Sequence, residues 1–395
     1  MTRVIQTSHS LEGKTIVLGI TGSIAAVRCV ELARELMRHG ANVHAVMTKE
    51  AQKIIHPEAI KYATGNCVVT EITGAVEHVE FCGIGDRATL LLIAPCTANT
   101  IGKIAHGIDD TTVTTFATTA FGSGIPIMIV PAMHESMYNH PIVIENIGKL
   151  TELGVEFINP VIDEGAAKIA STDEIVLRVE KVLFKKTLAG KRIIITGGAT
   201  AEAIDPIRII TNRASGKTGV ELTLEAFRRG ADVTLVHRGC MGIQGICEFN
   251  VESARDMTET VIEELGKGYD LLISAAAISD FTVTPSKEKI KSEKQVNIAL
   301  KPAPKLIKEA RMKYPDLKII GFKAETGVSE DELIKRARSS METLSLSMVV
   351  ANDVSSGGMG TEDNEVYLID SSIKRVAGTK REIAFEIMDK VEALI

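Results

Sequence analysis

The sequence predicts an α/β protein built from two doubly wound, Rossmann-like domains, and three observations predict it. A chain of 395 residues exceeds one ordinary core, since domains run to roughly 100–200 residues. Short β-branched runs alternate with segments of helical periodicity from residue 15 onward, the pattern of βαβ units and a parallel sheet. The pattern then restarts after LAGK at 188–191. The domains are accordingly placed at 1–186 and 187–395.

In the first domain, TIVLGI at 15–20 and NVHAVM at 42–47 predict strands on either side of a helix over 24–39. Further buried strands are predicted at 90–94, 126–130 and 155–158, with helical segments between them, so both faces of the sheet are covered. In the second domain, RIIIT at 192–196 predicts the opening strand. A helix over 216–229 follows, then strands DVTLV at 232–236 and LLIS at 271–274. Each opening helix ends in a basic residue and a glycine (Arg38-His39-Gly40 and Arg229-Gly230), which reads as shared architecture, not a repeat array. The Lys-rich, weakly periodic stretch 281–305 predicts a solvated loop directly after a buried strand.

With 45% hydrophobic and 24% charged residues, the composition is that of a globular protein and excludes disorder as the main state. A net charge of −6 without a long block of like charge excludes nucleic acid as a partner. The N-terminus has no apolar signal core, and the longest apolar runs, such as LLLIA at 90–94, are too short to span a bilayer. A cytoplasmic protein with no membrane partner is expected. Six scattered cysteines without CxxC spacing suggest reduced thiols, with neither a disulfide framework nor a structural zinc site.

In an open parallel sheet, ligands bind beyond the carboxyl ends of the strands. After the first strand comes Gly19-Ile20-Thr21-Gly22-Ser23-Ile24-Ala25, where glycines let a ligand approach the backbone and N–H groups can meet a phosphate. It is not GxGxxG, and a plain tight turn explains the glycines almost as well. Ala94-Pro95-Cys96-Thr97-Ala98-Asn99-Thr100 follows the most apolar strand, where helix capping and ligand binding are evenly matched explanations. Pro131 to Tyr138 (PAMHESMY) again follows a buried strand and gathers His, Met and Tyr. In the second half, Ser215-Gly216-Lys217-Thr218 suggests a P-loop, but the motif requires glycine at position 211, where Thr211 stands.

Together with Glu77-His78-Val79-Glu80, the first-domain segments resemble the fingerprints of the flavin-containing cysteine decarboxylases. The second half resembles phosphopantothenoylcysteine synthetase. The resemblance rests on Ile195 to Thr200, Ile204-Asp205-Pro206-Ile207-Arg208, Thr211 to Lys217, Lys289-Ile290-Lys291 and Ala351-Asn352-Asp353-Val354, in family order. It spans nearly the whole chain and implies a bifunctional enzyme of coenzyme A biosynthesis, with a flavodoxin-like first domain.

The resemblance implies that 4'-phosphopantothenate is activated by CTP, with Mg²⁺, as an acyl-cytidylate that L-cysteine then attacks. Lys289 would hold the triphosphate and Asn212 the acyl-cytidylate, with Gly197, Ala276, Asp280, Lys305 and Phe322 around the nucleotide. It implies FMN held by Gly22, Ser23, Ile24, Thr48, Cys96, Thr97 and Asn99. On that resemblance the FMN would oxidise the cysteine thiol to a thioaldehyde, so that the adjacent C=S accepts the electrons released with CO₂. His78 would be the acid/base of that oxidation and His134, in place of the family's Asn, would hold the substrate carboxylate. It further implies trimeric decarboxylase and dimeric ligase contacts in a homo-oligomer.

Two departures bear on these expectations. The lysines that the family carries shortly before its Ala-Asn-Asp motif are replaced by Met341 to Ser345 (METLS), which leaves the choice between CTP and ATP open. The flap at Asp163 to Ser171 lacks the cysteine of bacterial relatives, and Lys168 is its candidate proton donor. No metal ligands are assigned. Two other classes of function remain: a flavin-binding regulatory protein with a degenerate decarboxylase half, which would not need His78, and a tandem nicotinamide-dependent reductase, which would bind NADPH and not FMN.

Overall fold

The computed structural model describes every residue except 1–5, 7, 86, 164–165, 292–294, 356, 358–359 and 362. It divides into two compact units, Met1–Phe184 and Lys185–Ile395.

The first unit is a five-stranded sheet in the spatial order Asn42–Met47, Thr15–Ile20, Leu90–Cys96, Ile127–Pro131, Glu156–Phe157, with every pair parallel. Numbered along the chain this is 2-1-3-4-5, the flavodoxin-like order, with its switch point between the first and third strands. Side chains alternate between faces. Ile16, Leu18 and Ile20 join one apolar cluster, whereas Val17, Leu91 and Ile93 join the other with Phe116. Burial on both faces explains why these strands read as continuous apolar runs.

The helix expected over 24–39 is broken. A tight 3₁₀ turn, Ile24–Arg28, precedes the α-helix Cys29–Arg38. Ile24 and Val27 point outward, 77% and 53% exposed, so the opening turn lacks the packed apolar stripe that would hold it in register with the helix behind it.

The second unit carries eight strands in the order Cys247–Asn250, Asp232–His237, Arg192–Gly197, Leu271–Ser274, Lys318–Glu325, Met348–Asp353, Asp363–Ile369, Ile373–Thr379. The first six are parallel in the 3-2-1-4-5-6 order of dinucleotide-binding folds. The last two add an antiparallel hairpin at the edge of the expected doubly wound sheet. Among the described residues of 281–305, only Phe281–Thr282 and Lys301–Pro302 pair as short strands.

Two helices of this unit, Lys217–Arg228 and Lys380–Leu394, are fixed to each other by a buried arginine. The Arg229 guanidinium donates to Glu225 at 2.8 Å, to Asp389 at 2.7 Å and to Glu392 at 2.6 Å. Burial opposes its charge, yet the three carboxylates outweigh it and hold the pKa above the ordinary arginine value.

Candidate functional site

At the switch point of the first unit, Thr21 ties the two strand ends together. Its hydroxyl donates to the Pro95 carbonyl at 2.8 Å and accepts from the Thr97 N–H at 3.0 Å. Three hydroxyls singled out in the sequence cap the turns that follow these strands. Ser23 accepts from the Ala25 N–H at 3.4 Å, Thr48 from Ala51 at 3.2 Å and Thr97 from Thr100 at 3.3 Å. Gly22 has a packing reason, since a Cβ there would stand 2.6 Å from the Cβ of Glu50.

Beside these turns lies a cavity of about 500 Å³ that brings together Gly22, Ser23, Ile24 and Thr97 with His134 and Lys168. The last two meet because the flap folds back. Val161–Asp163 pairs antiparallel with Ala166–Lys168, which pairs in turn with Met133–His134. Glu164 and Gly165 of the expected flap lie outside the described residues. Arg28 also lines the cavity, no carboxylate does among the described residues, and Ala25, Ala132, Met133, Met137 and Ile169 make the rest largely apolar. A cavity of this size, with an apolar wall, cationic side chains and backbone turns, fits a flat aromatic group bearing an anion such as FMN.

Thr48, Cys96, Asn99 and His78 are not among the residues lining this cavity. Cys96 is fully buried beside Val17 and Phe116 in the core, and burial pushes its thiol far above the ordinary value. Asn99 stands exposed on the helix Ala98–Ala105. His78, on the helix Glu77–Cys82, turns the edge of its ring toward Phe116 at 6.5 Å. Its Nδ1 is buried without a hydrogen-bond partner among the described residues. The preceding turn holds Val76 at φ 51°, unusual for a β-branched residue. The hydroxyl and N–H of Thr73 donate to Glu77 and hold that carboxyl below its usual range.

The second unit opens a cavity of about 320 Å³ at its own switch point, where Ala275 to Ile278 follow the strand Leu271–Ser274. It gathers the predicted Ala276, Asp280 and Phe322, and Lys305 reaches it through an ion pair with Asp280. Gly197 lies behind the wall. A Cβ on Gly219 would come within 2.7 Å of the Gly197 Cα, so glycine lets the helix Lys217–Arg228 start against the first strand. Gly216 caps that helix at φ +81°, a conformation that favours glycine.

Asn212 and Lys289 stand outside this lining. The Asn212 amide donates to the Ala277 carbonyl at 3.0 Å, on the cavity wall. Lys289 is exposed on a loop held by Asp205. The Asp205 carboxylate accepts the N–H groups of Ile207 and Arg208, both at 2.8 Å, and of Ile290 at 3.1 Å. The Arg208 guanidinium, 2.7 Å from that carboxylate, also donates to the Ile290 carbonyl at 3.0 Å. Burial works to raise the Asp205 pKa, but these donors and Arg208 bring it down to about 2.

The stretch 341–345 closes the helix Glu330–Leu344, where Met341 and Leu344 pack against the core. Sequence reading left Lys323, Asn352, Asn364 and Lys380 out of the site, although all four line the cavity. Only Asn352 carried a signal, through the Ala-Asn-Asp-Val segment. Among the described residues, no group of three His, Cys, Asp or Glu is placed to hold a metal. No helix there is long and apolar enough to cross a membrane.

Family models match both units. Residues 4–184 match the Flavoprotein family and residues 188–394 the DNA/pantothenate metabolism flavoprotein C-terminal domain, which defines the class as a flavoprotein fused to a pantothenate-metabolism domain. The chain is 53% identical to the coenzyme A biosynthesis bifunctional protein CoaBC of Thermococcus kodakarensis over 395 residues, covering 98% of this chain and 97% of that one. It is 41% identical to CoaBC of Methanocaldococcus jannaschii, over 98% and 96% of the two chains. With CoaBC of Bacillus subtilis the identity is 32%, over 97% and 98%. The chain belongs to the family of bifunctional coenzyme A biosynthesis proteins.

Proposed function

We propose that the second unit joins 4'-phosphopantothenate to L-cysteine at the expense of CTP, and that the first decarboxylates the product to 4'-phosphopantetheine. One observation carries this reading: each unit opens a cavity at its own switch point, and the two cavities differ as two reactions require.

In the second unit, Ala276 and Phe322 border the nucleotide. Lys289, on the loop braced by Asp205, supplies charge to the triphosphate, and the Asn212 amide steadies the acyl-cytidylate without adding repulsion. Mg²⁺ enters on the triphosphate, with Asp280 as the carboxylate of the cavity. Gly197 keeps the helix close behind it, and Lys305 holds Asp280 in place.

In the first unit, FMN supplies, when bound, an acceptor for the hydride of the cysteine side chain and returns it at the end. Gly22, Ser23, Ile24 and Thr97 hold it, with Thr48, Cys96 and Asn99 shaping the turns behind. His134 donates to the substrate carboxylate and Lys168 delivers the closing proton from the flap. His78 is the acid/base. Its place outside the cavity lining supports a homo-oligomer in which it meets substrate across a contact between copies. All six cysteines are free, which suits the reducing cytoplasm.

Purified protein given 4'-phosphopantothenate, cysteine, CTP and Mg²⁺ should release pyrophosphate, CMP and CO₂ and carry FMN absorbance, with less pyrophosphate when ATP replaces CTP. Folded protein lacking both activities would sink the reading.

A further inference from the structure

The parallel part of the second sheet ends at Met348–Asp353, and the hairpin strand Asp363–Ile369 extends it on that side. Register sets Phe322 opposite Val350 and Ala324 opposite Asn352, and side chains two apart along a strand share a face. Phe322 and Asn352 therefore stand on the same face of neighbouring strands. Both line the cavity, and the hairpin adds Asn364 and Val366 to the same lining. One wall thus holds an aromatic ring and two amides.

The two amides fix each other's sense. Asn364 Oδ1 accepts the Glu365 N–H at 2.9 Å, which identifies that atom as the oxygen, and Asn352 Nδ2 donates to it at 3.4 Å. Asn352 Oδ1 and Asn364 Nδ2 are left over, with no hydrogen-bond partner among the described residues. Asn352 is only 9% exposed, and a polar group so enclosed normally finds its partner in protein, water or ligand. The wall therefore offers one acceptor beside one donor, neither of them charged.

A flat base stacked on Phe322 would turn its edge toward this pair. Cytosine is complementary to it, since its exocyclic amine donates and the adjacent ring nitrogen accepts. Uracil presents the reverse, a carbonyl beside a ring N–H, and so sets acceptor against acceptor and donor against donor. Adenine carries an amine beside a ring nitrogen as cytosine does, so the pair separates amine-bearing bases from uracil and does not itself separate cytosine from adenine.

We propose that Asn352 and Asn364 are specificity-determining residues that read the amine-bearing edge of the base, so that the cavity selects CTP over UTP. This rests on the reading of the second unit as a nucleotide-dependent ligase. Asn352 accepts from the amine, and Asn364 donates to the ring nitrogen while holding the Asn352 amide in the sense that the match requires. The hairpin that closes the sheet thereby acquires a role in choosing the substrate.

The test is pyrophosphate release by the full chain with 4'-phosphopantothenate, cysteine and Mg²⁺, given CTP or UTP, comparing wild type with Asn364→Asp. Wild type should favour CTP by about tenfold to a hundredfold in kcat/KM, the range of one matched pair of hydrogen bonds to a base edge. The aspartate keeps the oxygen that accepts from Glu365 and Asn352 and replaces the donor by an acceptor. Its charge acts on both triphosphates alike, so the CTP-to-UTP ratio should fall by about tenfold, through poorer use of CTP and better relative use of UTP. A merely structural role would lower both nucleotides equally and leave that ratio unmoved, a result that overturns the proposal, as does equal use of CTP and UTP by wild type. Should the aspartate variant not fold, Asn364→Ala, which removes the donor without reversing it, is read by the same ratio. A wild-type chain that releases no pyrophosphate with either nucleotide refutes the ligase reading itself, a result distinct from any change of ratio.

Discussion

The two units use one rule of parallel sheets and reach opposite chemistries with it. In the first, serine and threonine side chains close the turns at the strand ends, and the cavity beside them is largely apolar, with Arg28 from the opening turn and Lys168 from the flap. In the second, Thr196 and Thr200 accept the Ala276 and Ser279 N–H groups, but the opening helix starts on glycine. Gly197, Gly198, Gly216 and Gly219 let backbones touch, and lysines stand at two helix starts. Hydroxyl caps keep a rim rigid around a flat ligand, whereas bare backbone and ammonium groups meet a flexible, highly charged one. The switch point thus determines where a ligand sits, and the residue types of the turns determine which ligand.

Four substitutions break or sharpen this contrast. His78→Asn should lower CO₂ release by about 10²–10⁴-fold, the contribution of a positioned acid/base, while pyrophosphate release continues; loss of both in folded protein would mean the units do not divide the work. Lys289→Gln should slow pyrophosphate release by about 10²–10³-fold, as for one lost donor to developing charge, and leave decarboxylation of supplied phosphopantothenoylcysteine intact. Gly219→Ala forces a Cβ into the Gly197 backbone and should cost about 1–3 kcal/mol, read as a lower melting temperature for the second unit.

The smallest effect concerns acid. Asp205 has its carboxyl lowered from 3.8 to about 2, so its stabilisation is complete above the ordinary value and fades as pH falls through the folded one. Asp205→Asn should flatten the loss of melting temperature between about pH 4 and pH 2. It should also raise the KM for nucleotide, because the Lys289 loop loses its brace. An unchanged acid limb would show that Arg208 and the backbone hold that loop unaided.

The parallel strands were legible because burial on both faces leaves continuous apolar runs, as at Leu90–Cys96. The hairpin Asp363–Ile369 and Ile373–Thr379 was not, since its second strand, IKRVAGT, is largely exposed and carries no such run. In the site, Ala276, Asp280 and Phe322 were placed by the family resemblance, and all three line the cavity. Lys380 was invisible because KREIAFEIMDKVEAL reads as an amphipathic helix, and only the folded unit buries its opening lysine. His78 was found by pattern alone, while its isolation from the cavity depends on the helix Glu77–Cys82 packing toward Phe116.

The wall that holds Lys380 also sets an order of events during synthesis. Gly198 and Lys380 line the same cavity although most of the second unit separates them along the chain. The first unit draws its cavity from residues 22 to 169, so a growing chain can complete it while the ribosome is still making the rest, as domains generally do. The ligase cavity closes only after translation has passed residue 383, and a chain stalled before that point would bind flavin without capturing nucleotide. Nascent-chain lengths between these limits therefore separate the two binding activities in time.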